Sequence, residues 1–116
     1  MGLLDRLRGK RPGVTRAAGR DDHAHLQEWA GSHDGVEGFV EPRTAVTETT
    51  LLLVAADGEW TRRRVEGPEA ARKLAHRLKM PVYDVQLVGY PQRMRDHDAR
   101  QKILRERQRR DDVGGS

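Results

Sequence analysis

An uninterrupted apolar run, Leu51 to Val54, lies inside the stretch TAVTETTLLLVAADGEWTRRRV, residues 44–65. Two β-prone segments meet there at Asp57-Gly58, a strong short-range hairpin signal because the tight turn needs positive φ. The first segment is apolar at consecutive positions, which predicts a strand covered on both faces. The second carries Arg62, Arg63 and Arg64 between Trp60 and Val65. Successive strand side chains point to opposite faces, so charge falls on both sides, as suits an edge strand.

The period changes after the hairpin. Ala71, Leu74, Ala75 and Leu78 recur at i, i+3, i+4 and i+7, which predicts a helix from Glu69 to Met80. Pro68 suits its first turn, Glu69 its positive end, and Arg77 and Lys79 its negative end; Pro81 stops it. VYDVQLVGY, residues 82–90, predicts a third strand with Tyr83, Val85 and Leu87 on one face. Upstream, Asp21 or Asp22 caps a short helix running to about Ala30 and ended by Gly31, with Trp29 as a core anchor. HDGVEGFVEP, residues 33–42, reads as irregular chain packed on by Val36, Phe39 and Val40. PQRMRDHDARQKILRERQRR, residues 91–110, has a thin apolar stripe and reads as a basic, largely solvated helix.

A helical crossover returns the chain in the direction of the strand before it. The expected fold is therefore α+β: a three-stranded antiparallel sheet of order 2-1-3, with a crossover helix on one face and a basic C-terminal helix. The helix around Trp29 is expected on the other face. Residues 1–20 read as a flexible basic N-terminal segment, 21–110 as a single domain, and 111–116 as a disordered tail. Met1 to Arg8 places Leu3, Leu4 and Leu7 on one side of a short helix, either lightly docked or meeting a partner or a membrane surface. Gly9 to Gly19 reads as a linker.

Composition narrows the function. Hydrophobic residues make up 35% and charged residues 34%, which allows only a modest core. There is no cysteine, hence no disulfide framework and no thiolate chemistry. No apolar run approaches the roughly 20 residues that span a bilayer. MGLLDRLRGK lacks the apolar core of a signal peptide, and Arg6 stands where a myristoylation motif has Ser or Thr. The expected compartment is the cytoplasm. The net charge of +4 is unevenly spread: residues 1–20 are basic, 21–60 acidic and 61–116 basic. That asymmetry implies either a surface for polyanions or charge pairing between segments.

Candidate chemistry is sparse. His23 and His25, with Asp22 and His33 nearby, are spaced wrongly for a shared helical face, so no metal is assigned. Asp84, Asp96, His97 and Asp98 are the best acid–base cluster, but no phosphate loop, dinucleotide fingerprint, nucleophile elbow or zinc-protease motif accompanies them. No catalytic residue and no cofactor is assigned, and the reading leans away from an enzyme. Arginine outnumbers lysine 18 to 4. Guanidinium groups bind phosphate in bidentate fashion and stack on bases. Arg62, Arg63 and Arg64 on the hairpin, with Arg93, Arg95, Arg100 and Lys102 on the last helix, are the candidate nucleic-acid-binding residues. The leading expectation is an accessory protein contacting RNA, the ribosome or another polyanionic assembly. A protein–protein interaction module is the alternative, and an oxidoreductase or other enzyme the third reading.

At FVEPRTAVTETTLLLVAADGEWTRRRV and PVYDVQLVGYPQRMRDH, residues 39–65 and 81–97, the chain resembles a group of short uncharacterised actinobacterial proteins. Some of these carry only the label oxidoreductase. The resemblance spans about the central half of the chain and carries over no functional residue. Within it, Gly89-Tyr90-Pro91-Gln92-Arg93-Met94 is a distinctive corner, explained locally by a strand ending where a helix begins with Pro91.

Overall fold

The computed structural model describes residues 16–114. The expectations for Met1 to Arg8, and for the linker as far as Thr15, lie outside the described residues. The remainder of that linker is already helical. Helix α1 spans Arg16–Gly31, followed by strands β1 (Glu37–Glu41), β2 (Thr50–Val54) and β3 (Trp60–Arg64). Helix α2 (Pro68–Arg77), strand β4 (Val82–Asp84), the single turn α3 (Val85–Val88) and the long helix α4 (Gln92–Gly114) complete the order.

The hairpin forms as its sequence dictates. β2 and β3 pair antiparallel, with Leu52 opposite Arg62 and Val54 opposite Trp60. Gly58 takes φ +92°, and its N–H donates to the Ala55 carbonyl at 3.0 Å. Asp57 Oδ1 accepts the Glu59 N–H at 2.9 Å, a local side-chain bond that favours the turn. β3 is an edge strand with its three arginines exposed, and β2 is an interior strand whose Leu51 to Val54 are fully buried.

The expected three-stranded antiparallel sheet of order 2-1-3 is incorrect. The sheet has four strands, is mixed, and runs β3-β2-β1-β4. The missing member is β1, within the segment read as irregular. It pairs antiparallel with β2, Phe39 opposite Leu52, and parallel with β4, Phe39 beside Tyr83. It therefore separates β4 from β2. The strand expected over residues 82–90 is also shorter. Asp84 is the last residue of the ladder, beside Val40 with φ −90° and ψ 120°, and its carboxylate accepts the Gln86 N–H at 2.8 Å. That N-cap starts α3 in competition with continued pairing.

Alternation along the strands divides the core in two. Val40, Leu51 and Leu53 face Leu26 of α1 and Ala71 and Leu74 of α2. Phe39, Leu52 and Val54 face Met94 of α4. α1 thus joins α2 on one face, where the sequence reading had placed it on the other. Trp29 is half-buried against this first cluster and stacks on His33 with ring centroids 3.7 Å apart. The second face is covered by the start of α4, of which only Met94 is buried among the described residues. α4 continues through Asp111 and Asp112 to Gly114, past the point where the sequence reading began a disordered tail.

Candidate functional site

The α4 side of the sheet carries two polar clusters, both built on β1. Glu37, Phe39 and Glu41 share that face, because alternate strand residues do. Glu41 accepts four hydrogen bonds: Thr50 Oγ1 at 2.7 Å, Arg62 Nε at 3.0 Å, Arg62 Nη2 at 2.9 Å and the Tyr90 hydroxyl at 2.6 Å. A carboxylate offers about four lone-pair sites, so Glu41 is saturated. Burial raises its pKa, but the bonds from Arg62, Tyr90 and Thr50 and the charge of Arg62 outweigh burial and hold it below the ordinary value. Tyr90 responds in the opposite sense: its bond to Glu41 raises the phenol pKa, helped by burial and the carboxylate charge.

Glu37 repeats the arrangement 4 residues earlier. It accepts Arg93 Nη2 at 2.6 Å and the Tyr83 hydroxyl at 3.2 Å. The bond to Glu37 raises the Tyr83 pKa, with the carboxylate's charge adding to it. Each glutamate thus holds one arginine and one tyrosine. The two tyrosine rings flank the β1/β4 edge and are 38% and 39% exposed, Tyr83 and Tyr90 respectively. Tyr83 also packs on Phe39, with ring centroids 5.5 Å apart.

A clasp joins α4 to the hairpin tip. Arg93 donates from Nε to the Ala55 carbonyl at 2.9 Å and from Nη2 to the Val54 carbonyl at 3.3 Å. Trp60 Nε1 donates to Asp98 Oδ1 at 2.7 Å, and Arg100 Nη2 donates to the Asp57 carbonyl at 3.2 Å. Gly58 is part of the fit: a Cβ there would lie 2.0 Å from the Arg93 carbonyl oxygen. An open groove follows the clasp outward, lined by Glu59, Trp60, His97, Gln101, Lys102 and Arg105 among others.

The arginines singled out in the sequence therefore divide. Arg62 binds Glu41 and lies over the Trp60 ring, 4.8 Å from its centroid. Arg63 lies 3.5 Å from Asp22 of α1, Arg64 also has an interaction partner, and Arg93 closes the clasp. Arg95 donates to the Tyr90 carbonyl at 3.2 Å, and Arg100 to the hairpin turn. Lys102, Arg105, Arg107, Arg109 and Arg110 stand exposed on α4. Among the described residues, Arg100 to Asp57 is the outermost polar bond between α4 and the hairpin.

The acid–base candidates are not brought together. Asp84 caps α3 on the β4 edge, while Asp98 holds Trp60 on the β3 edge, three strand spacings or about 14 Å away. Asp96 accepts Gln92 Nε2 at 3.0 Å. Of the histidines, His25 Nε2 lies 2.8 Å from Thr61 Oγ1, and His33 lies between the Trp29 carbonyl and Glu59. Among the described residues no group of three or more His, Cys, Asp or Glu could hold a metal ion, and no helix is long and apolar enough to cross a membrane. Sequence reasoning missed Glu37, Glu41, Tyr83 and Tyr90 as a set. Their partners lie 46 and 49 residues apart, and no spacing rule links them. Comparison with known proteins finds no match to this chain among family models, curated proteins or solved structures.

Proposed function

We propose that this protein binds RNA through the outer length of α4. The observation that supports this reading is a helix whose outer cations, from Lys102 to Arg110, stand exposed and, among the described residues, unpaired with the sheet. α4 has 23 residues, about 34 Å of axis, yet buries only Met94 among the described residues. From Lys102 to Arg110 it carries five basic residues against Glu106 alone. A helix that is polar all round contributes little to a core. Such a helix is suited to presenting guanidinium groups to phosphates, where counterion release drives binding. The hairpin arginines are better explained as structural, because Arg62 and Arg63 meet Glu41 and Asp22.

The test is fluorescence anisotropy with a short labelled RNA, titrated from low to physiological salt. Replacing Arg105, Arg107, Arg109 and Arg110 by Ala should weaken binding and flatten the logarithmic salt slope by about 0.7 per lost contact to a single strand. Absence of binding at low salt, or an unchanged slope in the variant, overturns the reading. Ile103 and Leu104, about half exposed on the same helix, favour a second reading in which α4 docks on a protein. A partner complex that survives nuclease and high salt is the result expected from it.

A further inference from the structure

We infer that Tyr83 and Tyr90 form a base-stacking platform that makes the protein prefer single-stranded RNA over duplex. This rests on the α4 reading above and adds a second contact surface to it. Both rings are held from behind. Their hydroxyls are tied to Glu37 and Glu41, and those carboxylates are fixed in turn by Arg93 and Arg62. An aromatic side chain anchored at its polar tip loses little further freedom when a base stacks on it, which is the usual advantage of tyrosine at binding surfaces. More than a third of each tyrosine remains accessible although each makes a buried or half-buried contact.

The charge around the rings suits the same ligand. Glu37 and Glu41 are each matched by an arginine, so they do not repel phosphate as free carboxylates would. Arg95 meets the Tyr90 carbonyl rather than a carboxylate, and Arg43 is exposed two residues beyond Glu41, so both keep their charge for a polyanion. The geometry also permits one strand to reach both surfaces. Glu37 and Glu41 are four strand residues apart, which separates the two hydroxyl anchors by about 13 Å. Pro91 alone separates Tyr90 from α4, and Arg105 lies about 20 Å along that helix from its first residue. A single strand has unpaired bases to offer the rings, whereas a duplex keeps its bases stacked internally. The exposed Leu87 and Val88 of α3 lie in the same β4–α4 connection and add apolar surface.

The experiment compares three labelled probes at low salt: a short adenosine RNA, an abasic ribose-phosphate chain of the same length, and an RNA duplex. The wild-type protein should bind the base-bearing strand roughly 5- to 150-fold more tightly than the abasic chain, the range expected for loss of one stacked base. Tyr83→Ala with Tyr90→Ala should abolish that preference and leave the salt slope unchanged. Tyr83→Phe with Tyr90→Phe, which keeps the rings and removes the bonds to Glu37 and Glu41, should retain the preference in reduced form. Equal binding of base-bearing and abasic probes by the wild type overturns the platform even if the alanine variant fails to fold, and leaves the α4 reading standing. Retention of the preference by a folded alanine variant overturns it too. No binding to any probe overturns both readings, and duplex binding as tight as or tighter than that of the base-bearing strand overturns the platform alone.

Discussion

Arg93→Ala should be a costly loss of a single charge. Its guanidinium supplies Glu37 at 2.6 Å, Ala55 at 2.9 Å and Val54 at 3.3 Å from one half-buried position. Truncation leaves a carboxylate and two carbonyls at the hairpin tip short of donors. Hydrogen bonds to charged groups contribute about 1.5–3 kcal/mol each when buried. About a third of each side chain is exposed, and water then replaces part of what is lost, so the ion-pair part is discounted strongly. The net expectation is about 2–3 kcal/mol, a large share of the roughly 5–15 kcal/mol typical of a domain. Arg93→Lys should recover less than half, because an ammonium cannot fork between a carboxylate and two carbonyls. The assay is urea unfolding followed by tryptophan emission, since Trp60 lies in the same clasp. At a urea slope of about 1–3 kcal/mol per molar, the midpoint should fall by on the order of 1 M. An Arg93→Ala protein within about 0.5 kcal/mol of wild type, with the slope unchanged, would refute the clasp as a stabilising element.

Gly58→Ala should cost at least about 2 kcal/mol, because it puts a Cβ into the Arg93 carbonyl at a position with φ +92°. Faster amide exchange in the first turns of α4 would show that the helix has been pushed from the hairpin; unchanged protection there would count against the close fit. Glu41→Gln addresses pH. The folded Glu41 titrates below its ordinary value, so its stabilising contribution is complete above the ordinary carboxylate range and is lost as pH falls through the lower folded value. Near neutral pH the variant should be less stable by about 1–2 kcal/mol, from the weakened bond to Arg62. The gap should close in acid, and a gap independent of pH would contradict the assignment.

What the sequence disclosed was whatever local rules specify. Asp57-Gly58 needs one residue at positive φ, and the run Leu51 to Val54 has no polar face, so hairpin and interior strand were both legible. β1 was hidden by its composition. Val36, Gly38 and Val40 alternate with Glu37, Phe39 and Glu41, a valid period of two, but glycine and glutamate are poor strand formers. At Gly38 a Cβ would stand 3.4 Å from Leu51 Cδ1 and 3.5 Å from the Pro81 carbonyl, ordinary contact distances, so neither space nor backbone requires the glycine there. The two glutamates are tolerated because Tyr83, Tyr90, Arg62 and Arg93 arrive from far along the chain. Nothing within ten residues of β1 announces them. β4 failed for the opposite reason. Its apolar pattern over residues 82–90 was sound, but one carboxylate, Asp84, turned the backbone aside by capping α3.

Part of the uneven charge along the chain is accounted for by pairing between segments. The acidic middle of the chain supplies Asp22, Glu37 and Glu41, and the basic final segment supplies Arg63, Arg93 and Arg62 to meet them. Those arginines hold α1, α4 and the edge strand to the sheet. Among the described residues, the outer cations of α4 have no comparable carboxylate partners on the sheet. Salt should therefore act on the two sets differently. Ions at physiological strength screen exposed charges beyond about 8 Å, so a phosphate surface on outer α4 would weaken steeply with salt. The close inner pairs, with donors 2.6 to 3.5 Å from their acceptors, would change much less. A protein whose RNA affinity collapses between low and physiological salt while its unfolding midpoint scarcely moves has its binding and folding arginines on separate surfaces. If both decline together, the clasp and the edge-strand pairs are themselves the polyanion contacts, and the division proposed for α4 fails.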